Sequence, residues 1–305
     1  MSKMIEKICL VAIAKHEKDY IIDWVDYYIH TIKVDKIIVV DNNDDGDNEN
    51  LTKILDKYIK EKTVQVVTKY RNKRANQRYT YEEIYKNNAK DYDWFCFFDI
   101  DEYLVMNNGM SLHGWLETVN KNIDVIHVNW KNFGDNDLVE YEKIPVMQRF
   151  TRPYVEDKTS EQNPEYFVQP ESFYQTHTYY YLRDNYQVKS IVRGKNNLNR
   201  YVRNKIHKFN FENGKYVDSD LTATTYFDKP NTFSIDHITY KNCQLNHYIT
   251  KTIKEYMERR LSRTLKNGCQ YSDIDELRRN FIRFNKWTKE KEKIFNEFVK
   301  KVKTK

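Results

Sequence analysis

The stretch 91-DYDWFCFFDIDEYLV-105 changes character in one step. An apolar and aromatic run, Trp94 to Phe98, ends in three acids, Asp99, Asp101 and Glu102. The run reads as a strand buried on both faces, and such a strand has no structural use for carboxylates at its tip. Asp99 and Asp101 are two residues apart, so an extended chain would place both side chains on the same side. There they could share one hard divalent cation, Mn²⁺ or Mg²⁺, which takes oxygen ligands of this kind. The bland alternative, a polar turn that caps a strand, is the commoner use of an isolated D-x-D. The place of this one in the chain favours the metal.

That place is the end of the fourth strand of an alternating series. "KICLVAIA" (7–14), "KIIVVD" (36–41), "TVQVVT" (63–68) and "WFCFFD" (94–99) are apolar throughout. Between them, Ile21, Trp24, Val25, Tyr28 and Ile32, then Leu51, Ile54, Leu55 and Tyr58, then Tyr81, Ile84 and Tyr85 recur at helical spacing. Strands without polar faces, separated by helices, predict an α/β fold with a covered parallel sheet. Ligands in such folds sit at the carboxyl ends of the strands. After about residue 120 the alternation stops. "IDVIHVNW" (123–130) reads as a further strand, and "VMQRFT", "HTYYYL" and "VKSIV" as short strands among polar loops. Helices are expected over 250–266 and 273–300, the first stopped by "NG" at 267–268 and the second opened by Ser272 or Asp273. The expected organisation is 1–130 as a nucleotide-binding half, 131–249 as a further region of the same domain, and 250–305 as a helical extension.

A second acidic tip follows strand two, "VVDNNDDGDNEN". Asp41, Asn43, Asp45 and Gly46 fall on the first places of a calcium loop, but the twelfth is Thr52 where a glutamate is required, and a strand enters the loop instead of a helix. What remains is Asp41 at a strand's carboxyl end, placed to bond a nucleoside hydroxyl or base edge. No GxGxxG follows strand one, which disfavours a dinucleotide-dependent dehydrogenase.

Taken together, "AIAKHEKDYIIDWVDYYI", "IIVVDNNDDGD", "NQRYTYEEIY" and "WFCFFDIDEYL" resemble the GT-A glycosyltransferases, in particular the family 2-like and family 92-like group of bacterial polysaccharide biosynthesis. "NWKNFGDN", "QRFTRP", "KSIVRGKN" and "LNHYITKTIKEYMERR" extend the likeness over roughly residues 7–262. The resemblance implies a Rossmann-like GT-A fold with a mixed central sheet and C-terminal helices. It implies a hexosyltransferase-type enzyme, using a nucleotide-sugar of the UDP-linked class and a glycan or glycolipid acceptor. It also implies roles. Asp99 and Asp101 would hold Mn²⁺ or Mg²⁺ on the donor diphosphate, with His247 as third ligand and His207 as its rival or as an acceptor contact. Ala12, Ala14, Lys15 and Glu17 would line the nucleotide pocket, Asp41 and Asn43 would lie near base or ribose, and Gln77 and Arg78 would face nucleotide or sugar. Lys251 would neutralise diphosphate. Asp135 is the candidate base for an inverting reaction, with Asp137 and Glu171 behind it, although small residues are commoner at its place in the group.

Composition narrows the alternatives. The 305 residues are 40% apolar and 31% charged, and no run approaches a membrane span. The N-terminal apolar core meets charge at Lys15 and reads as a strand, not a leader, so a cytoplasmic protein is expected. Cys9, Cys96, Cys243 and Cys269 are scattered with no CxxC, which disfavours a zinc site or disulfide framework. Net charge is +6, with five basic residues and no acid in 69–78 and eight lysines against three glutamates in 286–305. That tail suits either a solvated helix or a peripheral contact with the inner membrane surface. No recognition module accompanies the basic runs, so a nucleic-acid partner is not expected. The competing functions are a nucleotidyltransferase, disfavoured by the absence of a Gly-rich phosphate loop in "AIAKHEKD", and a non-catalytic carbohydrate- or nucleic-acid-binding protein. Rings such as Trp130, Phe133 and Tyr154 serve the core in most cases, and an exposed few would suit a saccharide groove.

Overall fold

A computed structural model of the protein describes residues 6–47, 49–73, 76–154, 187–195, 197–205, 208–224, 237–265 and 271–303. The four apolar runs form β1 (Ile8–Ala14), β2 (Lys36–Asp41), β3 (Val64–Val67) and β4 (Trp94–Phe97). All are parallel, in the order β3-β2-β1-β4. The chain therefore moves outward from β1 to β3 and then returns to the other side of β1. The reversal makes a topological switch point between β1 and β4, where open α/β sheets leave a crevice outside their carboxyl ends.

The sheet continues in mixed fashion. β5 (Glu102–Met106), β6 (Val125–Asn132), β7 (Val188–Arg193), β10 (Tyr216–Asp218) and β11 (Cys243–His247) complete nine strands in the order β3-β2-β1-β4-β7-β6-β11-β5, with β10 on β6. β7 runs antiparallel to both β4 and β6. A separate hairpin pairs β8 (Tyr201–Lys205) with β9 (Lys208–Phe211). The protein is thus α/β with the mixed central sheet and C-terminal helices expected of a Rossmann-like fold.

The helices follow from their apolar spacing. α1 (Ile21–Asp26) runs into a π-helical turn, Tyr27–Ile32, stopped by Lys33 in the left-handed region at φ 65. Leu55 divides the second expected helix into α2 (Leu51–Ile54) and α3 (Asp56–Lys60). α4 (Gln77–Asn88) buries Tyr81 and Tyr85, whose rings meet Phe97 at 5.0 Å and Phe95 at 5.3 Å between centroids. Phe209 closes this cluster 4.4 Å from Phe97, and each such ring contributes about 2 kcal/mol by burial. Cys9, Cys96 and Cys243 are free thiols inside the core, where burial pushes each thiol up. A short α5 (Leu112–Leu116) is capped by Ser111, whose hydroxyl accepts from the Gly114 N–H at 3.0 Å.

Two expectations are corrected. "VMQRFT" is not a strand: Val146–Arg149 forms one helical turn, α6, entered from Pro145, whose missing N–H is no loss there. The helix expected over 273–300 is two helices, α8 (Tyr271–Ile282) and α9 (Lys289–Lys303), preceded by α7 (Ile253–Leu265). Asn285 holds the break, since its amide donates to the Phe281 carbonyl at 2.8 Å. The expected strand "HTYYYL" and the "NG" stop lie outside the described residues.

The chain divides into two compact units, Met1–Trp130 with Asn185–Asn246, and Lys131–Asp184 with His247–Lys305. The first contains most of the sheet and the Tyr81–Phe97 cluster. The second has its own core, built from Ile253, Met257, Leu277, Phe281 and Phe295, with Trp287 against it. Among the described residues no helix is long and apolar enough to cross a membrane.

Candidate functional site

In the first unit, the strand-four acids lie at the switch point, and they lie on a turn. β4 ends at Phe97, and the Glu102 N–H donates to the Asp99 carbonyl at 3.0 Å, closing a β-turn over Asp99–Glu102. The expected extended arrangement, in which alternation would align Asp99 with Asp101, is therefore not what forms. Glu102 folds under the turn instead and accepts from the Asp99 N–H at 2.9 Å. Asp101 is buried, at 4% exposure.

Asp99 already has partners. Its Oδ2 accepts from Lys189 Nζ at 2.7 Å, and its Oδ1 accepts from Gln77 Nε2 at 3.3 Å and the Tyr81 hydroxyl at 3.2 Å. Lys189 stands on β7 with its side chain fully buried, and its ammonium is also 3.4 Å from Glu102 Oε1. That oxygen has no hydrogen-bond partner among the described residues. Burial pushes the Glu102 carboxyl well up, with Lys189 opposing. Burial alone would lower the Lys189 ammonium, but Asp99 and Glu102 outweigh it and hold it above its usual range, so it stays charged. Sequence reading found Gln77 and the acids. It missed Lys189 and Tyr81 as members, because a lysine inside an apolar strand signals only that some carboxylate must meet it.

At the neighbouring strand end, Asp41 is enclosed. Its Oδ2 accepts from Arg71 Nη1 at 2.6 Å, and its Oδ1 accepts from the backbone N–H and side-chain amide of Asn43 at 3.0 and 2.9 Å. Asn43 Oδ1 in turn accepts from the His16 N–H at 2.8 Å, tying the loop after β2 to the end of β1. Lys15 reaches Asp44 at 3.3 Å. Ala12 and Ala14 are buried within β1, and Glu17 lies just beyond it, its carbonyl accepting from the N–H groups of Tyr20 and Ile21. Arg78 follows Gln77 in the first turn of α4 and lies over the exposed Tyr79 ring, 5.3 Å from its centroid. The structure thus brings together Gln77 with Asp99, and Asp41 with Asn43.

Glu49, which sequence reading passed over, gives this region a pH dependence. It is buried, and burial raises its carboxyl to about 7, opposed by Lys18 and by N–H donation from Lys18 and Glu17. The native state therefore binds a proton that the unfolded chain, with an ordinary carboxyl near 4.3, has released. A raised acid gives stability that is present at low pH and lost as pH rises through the window from about 4.3 to 7. Glu49→Gln is expected to raise stability at pH 8 by on the order of 2 kcal/mol and to leave it unchanged at pH 4. Urea melts at the two pH values check this, and an equal gain at both would refute the assignment.

The second unit holds the remaining sequence candidates. His247, the last residue of β11, is buried, and its Nδ1 lies 2.9 Å from Asn132 Oδ1. That carbonyl partner selects the tautomer with the proton on Nδ1 and the lone pair on Nε2, the arrangement a metal-binding imidazole uses. Lys251 is buried in the left-handed region at φ 54, a strained backbone for a lysine and one that clusters at functional sites. Asp135 is buried with its Oδ2 2.5 Å from Lys291 Nζ. Burial raises the Asp135 carboxyl, with Lys291 opposing. Its backbone N–H donates to Asn285 Oδ1 at 2.6 Å, and beside it a Cβ on Gly134 would come within 2.7 Å of the Phe284 carbonyl. Asp137 is half-exposed and paired with Arg152 at 2.8 Å, which holds its carboxyl below the usual range. His207 and Glu171 lie outside the described residues.

Within the first unit, the buried carboxylates of Asp101 and Glu102, one oxygen of Glu102 having no hydrogen-bond partner among the described residues, are oxygen donors of the kind a divalent cation takes.

No protein-family model matches the sequence, and no curated protein matches it. Similar solved structures include three of TarS from S. aureus. A structure of TarS is 14% identical, with TM-score 0.32, and the match covers 46% of this chain and 23% of that one. TarS 1–349 in complex with UDP is 15% identical, with TM-score 0.32, over 45% of this chain and 38% of that one. TarS 1–349 alone is 13% identical, with TM-score 0.34, over 62% of this chain and 47% of that one. The chain spans less than half the length of each.

Proposed function

We propose that the protein is a metal-dependent glycosyltransferase. It would move a sugar from a nucleotide-sugar, of the uridine diphosphate class, to a saccharide or glycolipid acceptor in surface polysaccharide synthesis. The observation that carries this reading is the acidic turn Asp99–Glu102 at the carboxyl end of β4, beside β1 at the switch point of a parallel unit. A nucleotide diphosphate fits such a crevice, and acids there suit it only with a cation between.

In this reading Asp101 holds the cation, while Asp99 stays bonded to Lys189 and orients the turn. When bound, the divalent ion supplies a positive charge against the leaving diphosphate as the sugar–oxygen bond breaks. Lys15 and Gln77 border the donor, and the enclosed Asp41 and Asn43 hold the floor of the nucleotide pocket in place. Asp135 serves the fold in this proposal: a carboxylate ion-paired to a buried lysine is poorly placed to take a proton from an acceptor hydroxyl.

The direct test is the melting temperature of the full chain against a panel of nucleotides and nucleotide-sugars, with and without Mn²⁺. A shift with a uridine diphosphate compound that needs Mn²⁺ is expected. A shift with single-stranded nucleic acid that ignores the metal would overturn the proposal.

A further inference from the structure

Lys189 is a fully buried ammonium placed 2.7 Å from Asp99 and 3.4 Å from Glu102, at the mouth of a turn read above as a cation site. Three features set it apart from an ordinary buried ion pair. It faces two carboxylates of one turn, while a lysine in a strand buried on both faces needs only one partner. Glu102 Oε1 has no hydrogen-bond partner among the described residues, so this oxygen meets the ammonium as charge meets charge. And the register is rigid. Lys189 sits opposite Val128 in β6, and β7 lies directly against β4, so the ammonium is delivered by the centre of the sheet and not by a loop.

We propose that Lys189 is a resident cation of the acidic turn. It is a positioning residue that occupies, with a side chain, a charge position between Asp99 and Glu102 that an inorganic ion would otherwise fill. The turn carries three carboxylates, and one fixed ammonium among them leaves a formal charge that a single divalent ion balances. The strand tip can therefore form and stay ordered before any metal or donor arrives, and Asp99 is set in place by the fold. This goes beyond the transferase reading, because it concerns the turn in the resting protein whether or not sugar is transferred.

The test compares the full chain with Lys189→Met and with the double variant Lys189→Met, Glu102→Gln, by thermal melting after EDTA treatment and again in millimolar Mn²⁺, without nucleotide. Lys189→Met leaves the buried Glu102 and the partly exposed Asp99 without their shared ammonium. It is expected to melt roughly 10 °C lower in EDTA and to recover a larger part of that loss in Mn²⁺ than the parent gains. The double variant is expected to fold, to melt closer to the parent in EDTA, and to lose the extra Mn²⁺ response. Should Lys189→Met fail to fold, the double variant decides alone: failure there too means that packing, not charge, is the role, and the proposal falls. It also falls if Lys189→Met melts like the parent in EDTA, or gains no more than the parent from Mn²⁺. A parent that ignores Mn²⁺ beside a variant that responds would leave this proposal standing even if the nucleotide panel overturned the transferase reading.

Discussion

Asp101→Asn is expected to lower the rate of sugar transfer by roughly 10²- to 10³-fold, the usual effect of removing one group that stabilises developing charge. It should also abolish the Mn²⁺-dependent part of the nucleotide-induced melting shift, and lower the melting temperature of the unliganded chain less than Asp99→Asn does. The reason for the separation is local. The turn is closed by the Glu102 N–H on the Asp99 carbonyl and by the Asp99 N–H on Glu102, contacts that make no use of the Asp101 carboxylate. Asparagine keeps the shape and removes the charge that a divalent ion needs. Asp99→Asn should behave differently, because Asp99 is bonded to Lys189, Gln77 and Tyr81. Removing that charge leaves a buried ammonium short of a partner, so the loss appears first in stability. Thermal melts and initial rates on both variants distinguish the two acids. Retention of a full Mn²⁺-dependent shift in Asp101→Asn would exclude it as a ligand.

The parallel unit was readable because its strands are apolar on both faces. "KIIVVD" forms β2 over Lys36–Asp41 as its composition indicates, and α4 follows from Tyr81, Ile84 and Tyr85. The acids at strand four were readable as an anomaly, a run of charge where burial forbids it. Their geometry was not. The chain turns at Asp99 because Glu102 can be buried beneath it, and Glu102 can be buried because Lys189, some ninety positions away, supplies the counter-charge. No local pattern contains that information. Asp41 shows the converse: its position at a strand end was legible, but its enclosure by Arg71 depends on how the loop after β3 returns. The same holds for the helix expected over 273–300. Periodicity carries through Arg283–Thr288, and the interruption is made by Asn285, whose side chain also receives the Asp135 N–H, and by the approach of Gly134 to the Phe284 carbonyl.

Arg149→Met is expected to destabilise the second unit by about 3–5 kcal/mol, the cost of stripping one partner from a buried ion pair. "VMQRFT" looked like a strand because Val, Met and Phe suit one. It is a helical turn because Arg149 must reach Glu255. The guanidinium meets that carboxylate in a two-pronged contact, Nη1 to Oε2 at 3.0 Å and Nη2 to Oε1 at 2.8 Å, with side-chain exposures of only 2% and 4%. Arg149 Nε also donates to the Ile144 carbonyl at 3.1 Å, which fixes the fork before it meets its partner. Glu255 has a second duty. Its Oε2 accepts from the Thr252 N–H at 3.1 Å while its own N–H donates to the Thr252 hydroxyl at 3.2 Å, a capping box at the start of α7. Methionine in place of Arg149 takes from that buried carboxylate both of the guanidinium donors it accepts from. Replacing both partners, Arg149→Met with Glu255→Leu, should recover most of the loss, because an apolar pair needs no desolvation, and should fall short by about 1 kcal/mol for the lost cap. Urea unfolding of the two variants measures the difference. A single variant within about 1 kcal/mol of the parent, the range of a surface pair, would mean that water reaches the site and that the contact does not hold this unit together.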